Sequence, residues 1–188
     1  MTEKEKMNAG EWYDPGNDKE LVDLRRKAEQ LAYDFNNARP HSNEQTNALK
    51  ELLQKDDVSD ISVLAPVYFD YGKSYTRLGK GTFVNHGCYF MDGGTITIGE
   101  NVFIGPFCGF YTANHPLDRN KRNQGMEIAL PIKIGDSCWF GANVSVMPGV
   151  TIGSNCVIAA GSVVTSDIPN NSLVAGVPAK VKKTLSEE

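Results

Sequence analysis

The residue best suited to move a proton in this chain is His115, in Thr112-Ala-Asn-His-Pro116. Imidazole has an unperturbed pKa of ~6.5, which fits it to accept and return a proton near neutral pH. A His before Pro in a loop also suits a plain surface turn. Asn85 is the second candidate: its amide could fix an acceptor hydroxyl or steady a developing oxyanion. Asn also tolerates the left-handed corner its position suggests. Asp14, Asp70 and Asp92 stand near aromatic residues, a pairing suited to holding hydroxyl-rich molecules, though each also fits a turn. Trp139 is expected to face outward, as the wall of a ligand site or as a subunit contact. Lys180, Lys182 and Lys183 gather positive charge near the end of the chain. His41 sits in a linker and His86 beside a corner, 29 residues before His115. That spacing does not suit the three-histidine site a catalytic zinc needs, and no metal is expected.

The scaffold for these residues is written between Ile134 and Thr165. Ile134, Phe140, Val146, Ile152, Ile158 and Val164 recur every six residues, with Gly135, Gly141 and Gly153 following. The fifth place is compact: Cys138, Val144, Val150, Cys156, Ser162. The frame runs upstream through Leu78, Val84 and Phe90, then Ile98, Ile104 and Phe110 after a two-residue slip. A six-residue period with two fixed positions marks a hexapeptide-repeat β-helix, an all-β core of stacked coils. Three sixes make an 18-residue coil. Gly in second place is expected at a corner with positive φ.

Residues 1–56 have another texture, an N-terminal α-helical segment. Thr2-x-x-Glu5 is a capping box, Asp18 can cap a helix ending near Arg39-Pro40, and Ser42-x-x-Gln45 opens a third. Leu21, Leu24, Ala28, Leu31, Ala32 and Phe35 form one stripe, expected to pack on the solenoid. Residues 57–188 are the β-helix. In it, 57–77 read as irregular capping coils before a frame that starts at Leu78. Residues 112–131 read as a long inserted loop, of a length usually functional or disordered. Net charge is −4 over 188 residues, so no basic surface points to nucleic acid. No run approaches a membrane span and the start is not a signal peptide, so the cytoplasm is the expected compartment. Cys88, Cys108, Cys138 and Cys156 all take the fifth place, where a reduced thiol packs as a small hydrophobe.

Together these motifs resemble the hexapeptide acyltransferases, and among them the maltose and galactoside O-acetyltransferases. The resemblance rests on Met7-Asn-Ala-Gly-Glu-Trp-Tyr-Asp14, Phe35-Asn36, Val67-Tyr-Phe-Asp-Tyr-Gly72 and Asn85. It continues in Tyr111-Thr-Ala-Asn-His-Pro116, Trp139-Phe-Gly141, Pro148-Gly-Val-Thr-Ile-Gly153 and Gly176-Val-Pro178. It implies a left-handed parallel β-helix, a homotrimer, and transfer of acetyl from acetyl-CoA to a sugar hydroxyl. His115 would be the general base, and Asn85 would position the acceptor or the intermediate. Asp14 and Asp70 would bind the acceptor, with Asp92, Met126 or Glu127 less directly engaged. Trp139 would flank the pantetheine arm. Ala142, Ala160, Thr165, Ser166, Pro178, Lys180 and Lys183 would hold the rest of CoA. Asp70 stands where the galactoside enzymes have Ser, as in the maltose type. Ser166 replaces a phosphate-binding Lys. Lys180 and Lys183 replace Arg and lose its bidentate fork. An acceptor such as an antibiotic or serine, or a non-catalytic scaffold, stays open.

Overall fold

The computed structural model describes residues 1–186. Three helices come first. In α1 (Glu3–Ala9) the capping box closes both ways: Thr2 Oγ1 accepts from Glu5 N at 3.1 Å, and Glu5 Oε2 accepts from Thr2 N at 2.8 Å. Asp18 caps α2 (Lys19–Asn37), accepting from Leu21 N at 2.9 Å. Ser42 caps α3 (Asn43–Leu53) through Gln45 N at 3.2 Å. The stripe of α2 is buried at Leu21, Ala28, Leu31, Ala32 and Phe35. All but Leu21 join α3 and the first strands in one core continuous with the solenoid. The helices therefore close the end of the stack.

The solenoid then turns in three-strand coils. The first is β1 (Ser62–Val63), β2 (Val67–Phe69) and β3 (Thr76–Leu78); the second is β4 (Phe83–Val84), β5 (Cys88–Met91) and β6 (Ile96–Ile98). Next come β7 (Phe103–Ile104) and β8 (Gly109–Tyr111). An excursion follows, through β9 (Ala113–Asn114), α4 (Arg119–Asn123) and β10 (Ile128–Ala129), before β11 (Ile132–Ile134) completes the third coil. The fourth is β12 (Trp139–Phe140), β13 (Ser145–Val146) and β14 (Thr151–Ile152). β15 (Val157–Ile158) and β16 (Val163–Val164) begin the fifth, and the hairpin of β17 (Ser172–Gly176) and β18 (Ala179–Thr184) ends the stack. Among the described residues every strand pairing between coils is parallel, and only β9–β10 and β17–β18 are antiparallel. The three faces are the sheets β1-β4-β7-β12-β15-β17-β18, β2-β5-β8-β13-β16 and β3-β6-β11-β14. This is a parallel β-helix.

Four expectations need correcting. The 18-residue coil holds only downstream, where Lys133 pairs Thr151 and Trp139 pairs Val157. Phe83 pairs Phe103, 20 apart, and Ser62 pairs Phe83, 21 apart, so corner insertions lengthen the early coils. Residues 57–77 are accordingly not irregular: they hold a complete first coil in register with the second, and the frame begins before Leu78. The 112–131 segment is not structureless but a short hairpin with a helical turn at its tip.

The fourth correction concerns glycine. Positive φ falls at the fourth place of most sixes, at Gly81, Gly87, Asn101, Phe107, Ser137, Asn143, Gly149, Asn155 and Gly161. The second-place glycines are needed for closeness instead. A Cβ at Gly79 would lie 2.4 Å from Gly99 O, and one at Gly141 would lie 2.6 Å from Ala160 N, because the next coil's backbone passes there. Inside, the first place stacks as a ladder. Phe69, Phe90 and Phe110 have centroids 4.8 and 5.2 Å apart, the spacing of neighbouring strands. The four cysteines are free and buried. Each thiol donates to a carbonyl of the adjoining turn, as Cys108 Sγ does to Gly141 O at 3.1 Å.

Candidate active site

His115 follows β9, where the chain leaves the coil. Its Nδ1 lies 2.8 Å from Met126 O. A carbonyl can only accept, so this contact assigns the hydrogen to Nδ1 and leaves the lone pair of the neutral ring on Nε2. Glu127 Oε1 stands 3.7 Å from Nε2. Glu127 is itself fixed from the far end of the chain. Tyr13 and Glu127 form an antiparallel bridge with N–H···O distances of 2.9 Å in both directions, and Tyr13 Oη donates to Glu127 Oε2 at 3.0 Å. Tyr13 is fully buried, and burial drives its phenol far above its ordinary pKa, so it stays a donor.

These groups face a cavity of about 320 Å³ whose lining also includes Asp14, Asp70, Arg25 and Tyr71. Asp14 Oδ1 accepts from Gly16 N at 3.0 Å and Asn17 N at 3.1 Å, and Oδ2 accepts from Asn17 Nδ2 at 2.8 Å. The Asn17 amide foremost holds its carboxyl below the usual range. Asp14 thus builds a turn and also lines the cavity. Asp70 is mostly enclosed, and burial pushes its pKa up, against the pull of Tyr89 Oη, which donates to Oδ1 at 2.5 Å. Arg25, which the sequence did not single out, spans Tyr71 Oη at 2.8 Å and Pro15 O at 2.6 Å. Nothing in the polar face of α2 distinguishes it in advance.

Asp92 does not join this cavity. It is fully buried, accepting from Tyr71 N at 2.7 Å, Gly72 N at 3.0 Å and Thr76 Oγ1 at 2.6 Å. It shapes the 70–76 turn that presents Asp70 and cannot meet an acceptor.

Asn85 lies elsewhere. It follows β4 in the second place but is not at positive φ, so the left-handed corner does not explain it. Its Oδ1 accepts from His86 N at 2.8 Å. With Trp139, Phe83 and Phe103 it lines a separate, shallow cavity of about 450 Å³. Phe103 and Trp139 are more than half exposed. Phe83, Phe103 and Trp139 all hold the sixth place of their repeats, a spacing visible in the sequence. From Asn85 the same sheet runs past Trp139 to β18, which carries Lys180 and Lys183. Five strand spacings cover about 24 Å. Ala142 and Ala160 stack at the corner of that sheet, where Gly161 N donates to Ala142 O at 2.8 Å. Thr165 and Ser166 are exposed just after β16, and Pro178 is exposed in the turn of the last hairpin, after a cis Val177–Pro178 bond. One chain thus carries two groups of candidate residues lining different cavities, with His115 in one and Asn85 in the other. Among the described residues no cluster of His, Cys, Asp or Glu suits a metal ion, and no helix is long and apolar enough to cross a membrane.

Comparison with known proteins matches residues 6–56 to the maltose acetyltransferase hexapeptide capping motif and residues 131–166 to the hexapeptide repeat of succinyl-transferase. A maltose O-acetyltransferase from Clostridium difficile 630 is 42% identical, with TM-score 0.94 over 100% of this chain and 99% of that one. A hexapeptide-repeat-containing acetyltransferase from Vibrio cholerae, complexed with acetyl coenzyme A, is 37% identical with TM-score 0.85, each chain covered in full (100%). A galactoside acetyltransferase in complex with coenzyme A is 34% identical, with TM-score 0.88 over 99% of this chain and 92% of that one.

Proposed function

Since the chain belongs to the maltose and galactoside O-acetyltransferase family of hexapeptide-repeat acetyltransferases, we propose that it moves acetyl from acetyl-CoA to a sugar hydroxyl, with His115 as general base. The observation that carries this reading is the ring of His115, pinned through Nδ1 with Nε2 turned to a cavity of carboxylates. Nε2 takes the proton of the acceptor hydroxyl as its oxygen attacks the thioester carbonyl. The C–O bond forms, the tetrahedral intermediate collapses, and the C–S bond breaks. The imidazolium returns its proton to the CoA thiolate. Glu127, 3.7 Å from Nε2, stabilises the positive ring between these steps. Asp14 and Asp70 accept hydrogen bonds from the sugar, and ionised acceptors are the strong ones.

Asn85 and Trp139 belong to the donor side in this reading, Asn85 steadying the oxyanion and Trp139 flanking the pantetheine arm. Ala142, Ala160, Thr165, Ser166, Pro178, Lys180 and Lys183 carry the remainder of CoA along the strip toward β18. Because His115 and Asn85 line different cavities of one chain, a site using both draws them from two copies. A homotrimer with sites between neighbours meets that need. The cytoplasm suits four free buried thiols.

The test is thiol release from acetyl-CoA against sugars, chloramphenicol and serine. Sugar-dependent release abolished by His115→Ala is expected; release with serine or chloramphenicol alone overturns the sugar reading. Mixing His115→Ala with Asn85→Ala chains should restore part of the activity, and no recovery counts against the shared site.

A further inference from the structure

Beside the acceptor cavity lies a larger groove of about 760 Å³, between the flank of α2 and the outer face of the first two coils. Asp70 and Arg25 line both spaces, so the two are joined at that carboxylate. Resting on the sugar-acceptor reading, we infer that this groove is a subsite for the non-reacting rings of an extended glycan acceptor, with Asp70 at the junction.

The lining suits a sugar better than an apolar ligand. Tyr68 and Tyr89 sit side by side in register on β2 and β5, with ring centroids 6.4 Å apart, and form the floor. Tyr33 of α2 stands opposite. In the single chain Tyr33 is 63% exposed and Tyr68 46%, so both present aromatic faces to the groove. Glu29 and Asn37 border the same space from the turns on either side of Tyr33. A sugar ring has an apolar C–H face and hydroxyls at its rim. Open aromatic faces take the first, and amides, carboxylates and phenols take the second.

The groove is also held open. Asn36 Nδ2 donates to Val67 O at 2.8 Å and its Oδ1 accepts from Val67 N at 2.9 Å, tying α2 to β2 at both ends of one amide. A preformed groove costs a ligand little ordering. Tyr89 Oη spends its hydrogen on Asp70 Oδ1, and no donor of the described residues reaches Oδ2. Asp70 lines both cavities, so rings on either side of the junction can donate to its carboxylate.

The experiment compares methyl glucoside, maltose and maltotriose as acceptors with saturating acetyl-CoA, in the wild type, Tyr68→Ala and Tyr33→Ala. The two tyrosines lie on opposite walls and are exposed, so either loss leaves the core intact. The wild type should show a lower KM for the longer sugars. Each variant should raise KM for maltotriose about 5- to 10-fold, with kcat and the methyl glucoside KM unchanged. A wild type indifferent to length, or variants that change all three sugars equally, overturns the subsite while leaving acetyl transfer to sugars intact. Absence of thiol release with every sugar overturns the sugar reading and the subsite with it. Dissociation of the assembly by Tyr68→Ala in light scattering also overturns the subsite, since the groove would then be a chain-to-chain contact.

Discussion

Replacing Gly79 and Gly161 by Ala separates the two uses of glycine in this solenoid. Gly79 has ordinary φ, but an added Cβ would sit 2.4 Å from Gly99 O, 2.5 Å from Gly99 C and 2.7 Å from Glu100 N. All are backbone atoms, with no rotamer to turn aside. Ordinary contact begins at 3.4 Å, so the two coils must part by about 1 Å. Gly79 N→Ile98 O, now 2.9 Å, would pass the limit of a hydrogen bond, and so would Thr82 Oγ1→Gly99 O at 2.9 Å. Two bonds at ~0.5–1.5 kcal/mol each, with ~1–3 kcal/mol for overpacking, give about 4 kcal/mol. Gly161 is the reverse case: φ is +71° and nothing lies within 4 Å of its Cβ. Ala there costs ~1–2 kcal/mol for the left-handed backbone, offset in part by ~0.4–1 kcal/mol from the unfolded chain, leaving about 1 kcal/mol. Urea unfolding at one fixed protein concentration reads both, since assembly makes stability concentration-dependent. Equal losses, or a larger loss at Gly161, would refute the claim that coil approach demands the second-place glycine.

His115→Ala should fold normally and lose roughly 10²- to 10⁴-fold in kcat; near-normal turnover sinks the general-base role. Glu127→Gln should slow kcat ~5-fold, because a charge pair at 3.7 Å in a solvated setting is worth ~1 kcal/mol, whereas Tyr13→Phe, which keeps the charge, should slow it less. Burial pushes the Asp92 carboxyl up to about 7 from the ordinary aspartate value of 3.8. The unfolded chain therefore releases this proton first, and the group erodes stability as pH rises from 4 to 7, by up to about 4 kcal/mol, then no further. Thermal midpoints across that range should fall in the wild type relative to Asp92→Asn, and parallel curves would contradict it. Denatured protein should titrate four thiols without reductant and native protein close to none, with fewer than four indicating disulfides.

The six-residue frame was legible because burial repeats with it: all twelve first-place residues from Leu78 to Val164 are buried, as are the four cysteines. Helix starts were legible because Thr2, Asp18 and Ser42 satisfy backbone donors within their own first turn. What the sequence concealed is long-range or interfacial. Asn114 pairs Ile128 with little strand-like patterning around either, held by Tyr13 from the other end of the chain. Arg25 looks like any solvated helix residue until Tyr71 and Pro15 are brought to it. Asp92 carries the same side chain as Asp14 and Asp70, and only its surroundings show that its oxygens are already occupied. The place of glycine was readable but its reason was misassigned, because φ and close approach both select the residue lacking a Cβ.

The Tyr13–Glu127 bridge joins residues 114 positions apart, while successive coils pair strands 16 to 36 apart. Contacts of small sequence separation are cheap to close, so the coils can zip from neighbour to neighbour before the amino-terminal segment arrives. That segment then docks last, onto a stack already formed, and completes the wall around His115. Local opening follows the reverse order for the stretch around Tyr13, which packs with Met7, Leu21 and Tyr71 outside the main core and detaches at lower free energy than a strand inside the stack. The candidate acceptor cavity is thus the last part of the molecule to be assembled and the first to come apart.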